Sequence, residues 1–85
     1  MVMIKILFFA NLRDIAKVDV IEIPAGDVSI VRDLLRTMSA HVPSELIENL
    51  SDETAMVSVN HKYAGWDGAI NDGDEVGILP PVSGG

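Results

Sequence analysis

One amphipathic stripe governs what this chain can fold into. Ile30, Val31, Leu34, Leu35 and Met38 recur at helical spacing, while Arg32, Asp33, Arg36 and Thr37 fall on the opposite side. A single apolar helix face must be buried against something, and the flanking sequence supplies strands. Residues 2–9 are β-branched and aromatic, and residues 18–23 repeat that character until Pro24-Ala25-Gly26 stops it. The polar stretch 11–17 has helical spacing and suits a connection holding one short helical turn, with the two strands paired antiparallel. Beyond the helix, residues 55–59 and 75–79 read as strands. Asn71-Asp72-Gly73-Asp74 reads as a tight turn, because Gly73 tolerates the positive φ such a turn needs.

Finer marks complete the expectation. Ser29 is predicted to cap the helix and Pro43 to end it. Ser44 is predicted to open a short second helix carrying Leu46, Ile47 and Leu50. Asn60-His61-Lys62 reads as a turn, and residues 65–68 as an irregular link. The order ββ-helix-βββ predicts an α+β roll of the ubiquitin-like β-grasp kind, with a mixed sheet of four to five strands packed on one main helix. At 85 residues this is one domain. It is expected to span 1–79, with 80–85 as an extended tail.

A sheet covered by one helix layer keeps its other face in water, and the alternation along the strands tells which face that is. Lys5 and Glu75 mark the outward parity. Leu7, Phe9 and Leu79 share it, so they are expected to form an exposed apolar patch, extended by Met56 and Val20. Contiguous apolar surface on a small domain points to a partner.

The formal charge of −7 is one-sided. Acidic and basic side chains balance over residues 1–42, whereas 43–85 carries Glu45, Glu48, Asp52, Glu53, Asp67, Asp72, Asp74 and Glu75 against Lys62 alone. Such a field repels nucleic acid and anionic lipid, so neither is an expected partner, and it suits a basic protein surface as well as it suits solubility. The chain begins without the basic and apolar run of a secretory leader, and it has no apolar run long enough to span a bilayer; a cytoplasmic location is expected.

Ordinary catalytic and metal chemistry finds no support. Without cysteine there is no thiolate nucleophile or zinc knuckle, and His41 and His61 alone make a protein-held transition metal unexpected. The carboxylate pairs Asp72/Asp74 and Asp52/Glu53 read as turn and cap residues. Ser83 has no neighbouring base. The end of the chain is different. From Val76 to Gly85 no side chain is charged. Pro80 and Pro81 stiffen the start of the tail, and Gly84-Gly85 finish it without side chains. Six extended residues, Pro80 to Gly85 through Val82 and Ser83, reach roughly 20 Å. That suffices to carry a terminal carboxylate into a narrow site on another protein, where its acyl chemistry needs activation by that partner.

The segment Asn71-Asp-Gly-Asp-Glu-Val-Gly-Ile-Leu-Pro-Pro-Val-Ser-Gly-Gly85 closely resembles the C-terminus of the MoaD branch of the MoaD/ThiS sulfur-carrier superfamily, the small subunits of molybdopterin synthase. Ile6-Leu-Phe-Phe-Ala-Asn-Leu-Arg13 and Val57-Ser-Val-Asn60 are similar to the family's early strand and late strand. Gly77 departs from the pattern, standing where the family often has a larger residue.

The resemblance implies that an adenylyltransferase related to ubiquitin-activating enzymes uses ATP and Mg²⁺ to adenylate the Gly85 carboxylate. A sulfur donor protein then leaves a thiocarboxylate there. The loaded tail delivers sulfur, within the large subunit of molybdopterin synthase, to a cyclic pyranopterin precursor of the molybdenum cofactor. It further implies no permanently bound cofactor, no metal site, and no independent catalytic centre in this chain. Gly84 and Gly85 carry the chemistry, and Leu7, Phe9, Leu79, Pro80, Pro81, Val82 and Ser83 are the expected partner contacts. A ubiquitin-like modifier, a thiamine-pathway carrier and an inert β-grasp interaction module share parts of this pattern.

Overall fold

The computed structural model describes residues 3–26 and 28–81. Five strands form one sheet in the order β2-β1-β5-β3-β4: β1 (Met3–Phe8), β2 (Val20–Pro24), β3 (Met56–Val59), β4 (Lys62–Ala64) and β5 (Glu75–Leu79). β1 and β2 pair antiparallel, as the first hairpin predicts, with Leu7 opposite Val20 and Ile4 opposite Ile23. β5 enters parallel to β1 and antiparallel to β3, which makes it the central strand of a mixed sheet. The α+β β-grasp architecture stands.

The core forms where the inward parity of the strands meets the helices. Ile4, Ile6 and Phe8 of β1, Ile23 of β2, Val57 of β3, and Val76 and Ile78 of β5 are all buried. Against them lie Leu12 and Ala16 of α1 (Asn11–Ala16), Leu34 and Met38 of α2 (Asp33–Met38), and Leu46 and Leu50 of α3 (Ser44–Leu50). The helical layer is thus shared between α2 and α3. Both are short, and helices of six or seven residues rely on tertiary packing rather than intrinsic propensity.

Three local expectations need correction. Ser29 is not the helix cap. Its backbone N–H and that of Ile30 donate to the Asp33 carboxylate at 3.0 and 3.2 Å, while Ile30 bridges to Ala69. The helix therefore starts at Asp33, entered through tighter turns in which Asp33, Leu34 and Leu35 donate to the carbonyls three residues back. The N–H groups a Ser29 cap would have accepted, those of Val31 and Arg32, donate instead to the Gly68 and Trp66 carbonyls at 2.9 and 2.8 Å. Pro43 does not end this helix either, since α2 stops at Met38; Pro43 instead immediately precedes α3 in an extended conformation. Finally, Lys62 does not belong to the turn. Asn60 and His61 alone reverse the chain, both at positive φ (52° and 71°), and Lys62 opens β4. This two-residue connection has the primed geometry that fits strand twist.

Residues 65–68, read as an irregular link, hold the chain's one tryptophan. Trp66 is 7% exposed, and its indole N–H donates to the Ala55 carbonyl at 3.1 Å. Its own carbonyl accepts from Arg32 N, so one residue ties the link to both α2 and β3. Trp66→Ala is expected to cost about 3–5 kcal/mol, enough to consume much of a small domain's stability. Trp66→Phe should cost about 1 kcal/mol, since it keeps most of the packing and loses the hydrogen bond. Chemical denaturation of both variants checks the ordering.

Candidate functional site

The open face of the sheet takes its character from strand register. One row across it reads Glu22, Lys5, Glu75; the next reads Val20, Leu7, Gly77, Ser58, Tyr63. Beyond that, Leu79 lies opposite Met56. The face therefore grades from charged to apolar toward the end at which β5 releases the chain. Val20 is 44% exposed, Phe9 42% and Tyr63 75%, while Leu7, Met56 and Leu79 are half-buried. The sequence pattern placed Leu7, Phe9 and Leu79 on one face, and the structure sets them together. It adds Ser58, a polar residue of β3, and Tyr63, which went unread because residues 62–64 were not assigned a strand. Phe9, Ser58, His61, Tyr63 and Leu79 line a shallow groove.

The chain leaves this face through Pro80, half-buried, and Pro81, exposed. Because β5 is central, the exit point is flanked on both sides. Phe9 N donates to the Ile78 carbonyl at 3.2 Å on one flank, and Met56 lies across on the other. Of the expected contact residues, Leu7, Phe9, Leu79, Pro80 and Pro81 are thus neighbours. Val82, Ser83, Gly84 and Gly85 lie outside the described residues.

The backbone at this corner has an uncommon conformation. Ala10 takes φ 53° and ψ −134°, a region in which a residue with a Cβ is strained. It opens the turn from β1 into α1, closed by Leu12 N donating to the Phe9 carbonyl at 3.1 Å. Gly77 is unusual in another way. It faces outward from the central strand yet is buried. A Cβ built there would stand 3.1 Å from Cε2 of Phe9 and 2.7 Å from the Ser58 hydroxyl.

Charged groups hold the frame behind the site rather than forming a catalytic cluster. Arg32 donates through Nη2 to Glu53 at 2.8 Å and through Nη1 to Asp67 at 2.6 Å, clamping the start of α2 to two loops. These bonds raise the Arg32 pKa and hold the Glu53 carboxyl below its ordinary range. Backbone donors from Ser29 and Ile30 lower Asp33, and those of Thr54 lower Asp52. Asp74 accepts from Asn71 N at 2.8 Å and from the Asn60 amide, so it is a turn residue as read. Glu53, read with Asp52 as a turn or cap residue, is instead the partner of Arg32.

The acid response follows from these shifts. A carboxyl whose folded pKa is depressed contributes stability that is present above its unfolded value and is lost as pH falls. Asp33, Asp52 and Glu53 all carry that sign. The melting temperature should therefore drop as pH falls through about 4.5 to 3. Glu53→Gln should show a shallower drop in thermal scans, and an identical slope would remove Glu53 from the account.

Among the described residues no three His, Cys, Asp or Glu side chains gather as a metal site would require, and no helix is long and apolar enough to cross a membrane.

Known proteins resemble this chain over most of its length. The ThiS family model matches residues 6–85. The molybdopterin synthase sulfur carrier subunit of Escherichia coli (strain K12) is 37% identical over 83 residues, covering 98% of this chain and all of the relative. A Pyrococcus furiosus structure described as subunit 1 of a molybdopterin converting factor superposes with a TM-score of 0.74 at 34% identity, covering 96% of this chain and 100% of the other. At 23% identity, a Helicobacter pylori complex of subunits 1 and 2 of molybdopterin-converting factor shares the fold, with a TM-score of 0.63 and coverage of 98% and 99%.

Proposed function

The chain belongs to the ThiS family, and from that footing we propose that it is a sulfur carrier working as the small subunit of molybdopterin synthase. The observation that carries this reading is where β5 releases the chain. An uncharged segment leaves the central strand of the sheet, beside an exposed apolar face, and the family match runs through its last glycine.

The chemistry is that of a carboxylate, which is a poor electrophile until activated. An adenylyltransferase holding ATP and Mg²⁺ joins a Gly85 carboxylate oxygen to the α-phosphorus and releases pyrophosphate. A sulfur donor protein then attacks the acyl carbon through the outer sulfur of a persulfide, and AMP leaves. A thiol reductant cleaves the S–S bond of the resulting acyl disulfide, so a thiocarboxylate remains and the donor leaves as a mixed disulfide. In the large subunit the thiocarboxylate sulfur bonds to a carbon of the cyclic pyranopterin precursor as an oxygen substituent of that carbon leaves, and water cleaves the carrier's C–S bond to restore the carboxylate. A dithiolene holds two sulfurs, so two loaded carriers serve each pterin.

This chain's own contribution is presentation. Leu7, Phe9 and Leu79 dock, Pro80 and Pro81 hold the tail extended, and Val82, Ser83 and Gly84 pass through a narrow channel at little desolvation cost. The Escherichia coli relative is named the sulfur carrier subunit of molybdopterin synthase, and the Helicobacter pylori structure a complex of subunits 1 and 2 of molybdopterin-converting factor.

The reading is tested by mixing thiocarboxylated chain with the large subunit and the pyranopterin precursor. Dithiolene formation with return of the terminal carboxylate is expected. No transfer, with isopeptide links to lysines of other proteins instead, would favour a protein modifier.

A further inference from the structure

We propose that Gly77 is a positioning residue. Its bare backbone at the centre of the sheet seats the Phe9 ring, and the seated ring forms the wall of the groove into which the large subunit packs an apolar side chain. The inference deepens the sulfur-carrier reading and rests on it.

Gly77 pairs with Leu7 on one side and Ser58 on the other, so it sits in the middle of the open face. A residue so placed is normally wet, yet Gly77 is buried, while Phe9 remains 42% exposed. The ring therefore spends one side on the glycine and offers the other to solvent. The fit is close: a Cβ at position 77 would meet Cε2 of Phe9 at 3.1 Å, inside ordinary van der Waals separation. The Ser58 hydroxyl, at 2.7 Å, can rotate away from such a Cβ. The ring must give by a few tenths of an ångström.

The backbone offers no other release. Phe9 N is bound to the Ile78 carbonyl, and the Phe9 carbonyl accepts from Leu12 N across the turn at Ala10. Ala10 already occupies φ 53°, so that turn is held by its surroundings. A side chain at position 77 must therefore act on the ring and not on the strand.

The occupant of the groove follows from the tail. Leu79 lines the groove and Pro80 follows it directly, so a protein that takes up the tail also covers Leu79. Phe9 and Tyr63 border the same groove. An apolar side chain of the large subunit seated between the two rings excludes water at the root of the tail and fixes where the tail enters.

Two measurements test this. In the free chain, NMR should show Gly77 α-protons shielded by the Phe9 ring, with the shielding lost in Phe9→Ala. Calorimetric titration with the large subunit then compares five chains: unaltered, Gly77→Ala, Gly77→Val, Phe9→Ala, and the Phe9→Ala/Gly77→Val pair. Gly77→Ala should weaken binding about threefold and Gly77→Val roughly tenfold or more, the scale of a well-packed contact. In the Phe9→Ala background Gly77→Val should cost less than about twofold, because its effect passes through the ring. Valine favours strands, so the fold should survive; Gly77→Ala decides the matter if it does not.

Unchanged affinity of the position-77 variant that folds overturns the inference. Equal losses in both backgrounds, or glycine protons indifferent to Phe9, do so too. Failure of the unaltered chain to bind the large subunit sinks the sulfur-carrier reading and this inference with it; tight binding indifferent to position 77 sinks this inference alone.

Discussion

Removing Gly85 alone is expected to leave the domain folded and to end sulfur transfer. The buried core runs from Ile4 to Ile78, so loss of the last residue touches none of it. The carboxylate would then stand on Gly84, one residue short, and an extended residue spans about 3.3 Å. Displacements of about 1 Å at a reacting centre can cost 100-fold, so a shortfall this large should reduce loading by at least about that factor. Adding one alanine after Gly85 should block loading equally, because it moves the carboxylate by one residue and puts a Cβ beside it. Adenylation and transfer assays on both variants, with thermal unfolding as the control, give the answer. Normal transfer by the shortened chain would defeat the assignment.

The second large effect concerns docking. Leu7→Asp and Phe9→Asp each place a carboxylate on the apolar part of the open face. Leu7 lies between Val20 and Gly77, and Phe9 stands at the tail exit, so a partner covering the tail must bury the new charge unpaired. Desolvating an unpaired carboxylate costs several kcal/mol, which predicts affinity for the large subunit at least about 100-fold weaker. Both positions point away from the core, and the variants should unfold at temperatures near that of the unaltered chain. Unchanged affinity would remove these residues from the interface.

Much of this was legible in the sequence because alternation in a one-sided sheet is strict. Ile4, Ile6 and Phe8 had to face the helices once Lys5 marked the other side, and the structure buries all three. The Gly73 turn was equally legible, and its φ of 85° is the reason a glycine stands there. What escaped was decided by contacts between segments distant in sequence. The helix start depends on Val31 N and Arg32 N donating to the Gly68 and Trp66 carbonyls, over 30 residues away, which no spacing rule distinguishes from a serine cap. Arg32 looked like a solvated helix residue, but it binds Glu53 and Asp67. β4 is only three residues long, and its exposed Lys62 and Tyr63 carry no alternation.

The site was legible in part for the same reason. Leu7, Phe9 and Leu79 announce themselves by being apolar at outward parity. Gly77 does not, since a glycine in a strand reads as weakness until the ring lying over it is seen. In the central strand it is a point of close approach and not a softened edge.

The central claim is that sulfur travels on the carboxylate of Gly85. Its most direct test is intact and fragment mass measurement of the chain after incubation with the adenylyltransferase, ATP, Mg²⁺ and a sulfur donor. The account predicts one oxygen replaced by one sulfur, confined to fragments that contain Gly85. A chain whose mass never changes, or whose sulfur is found on any other residue, would contradict it.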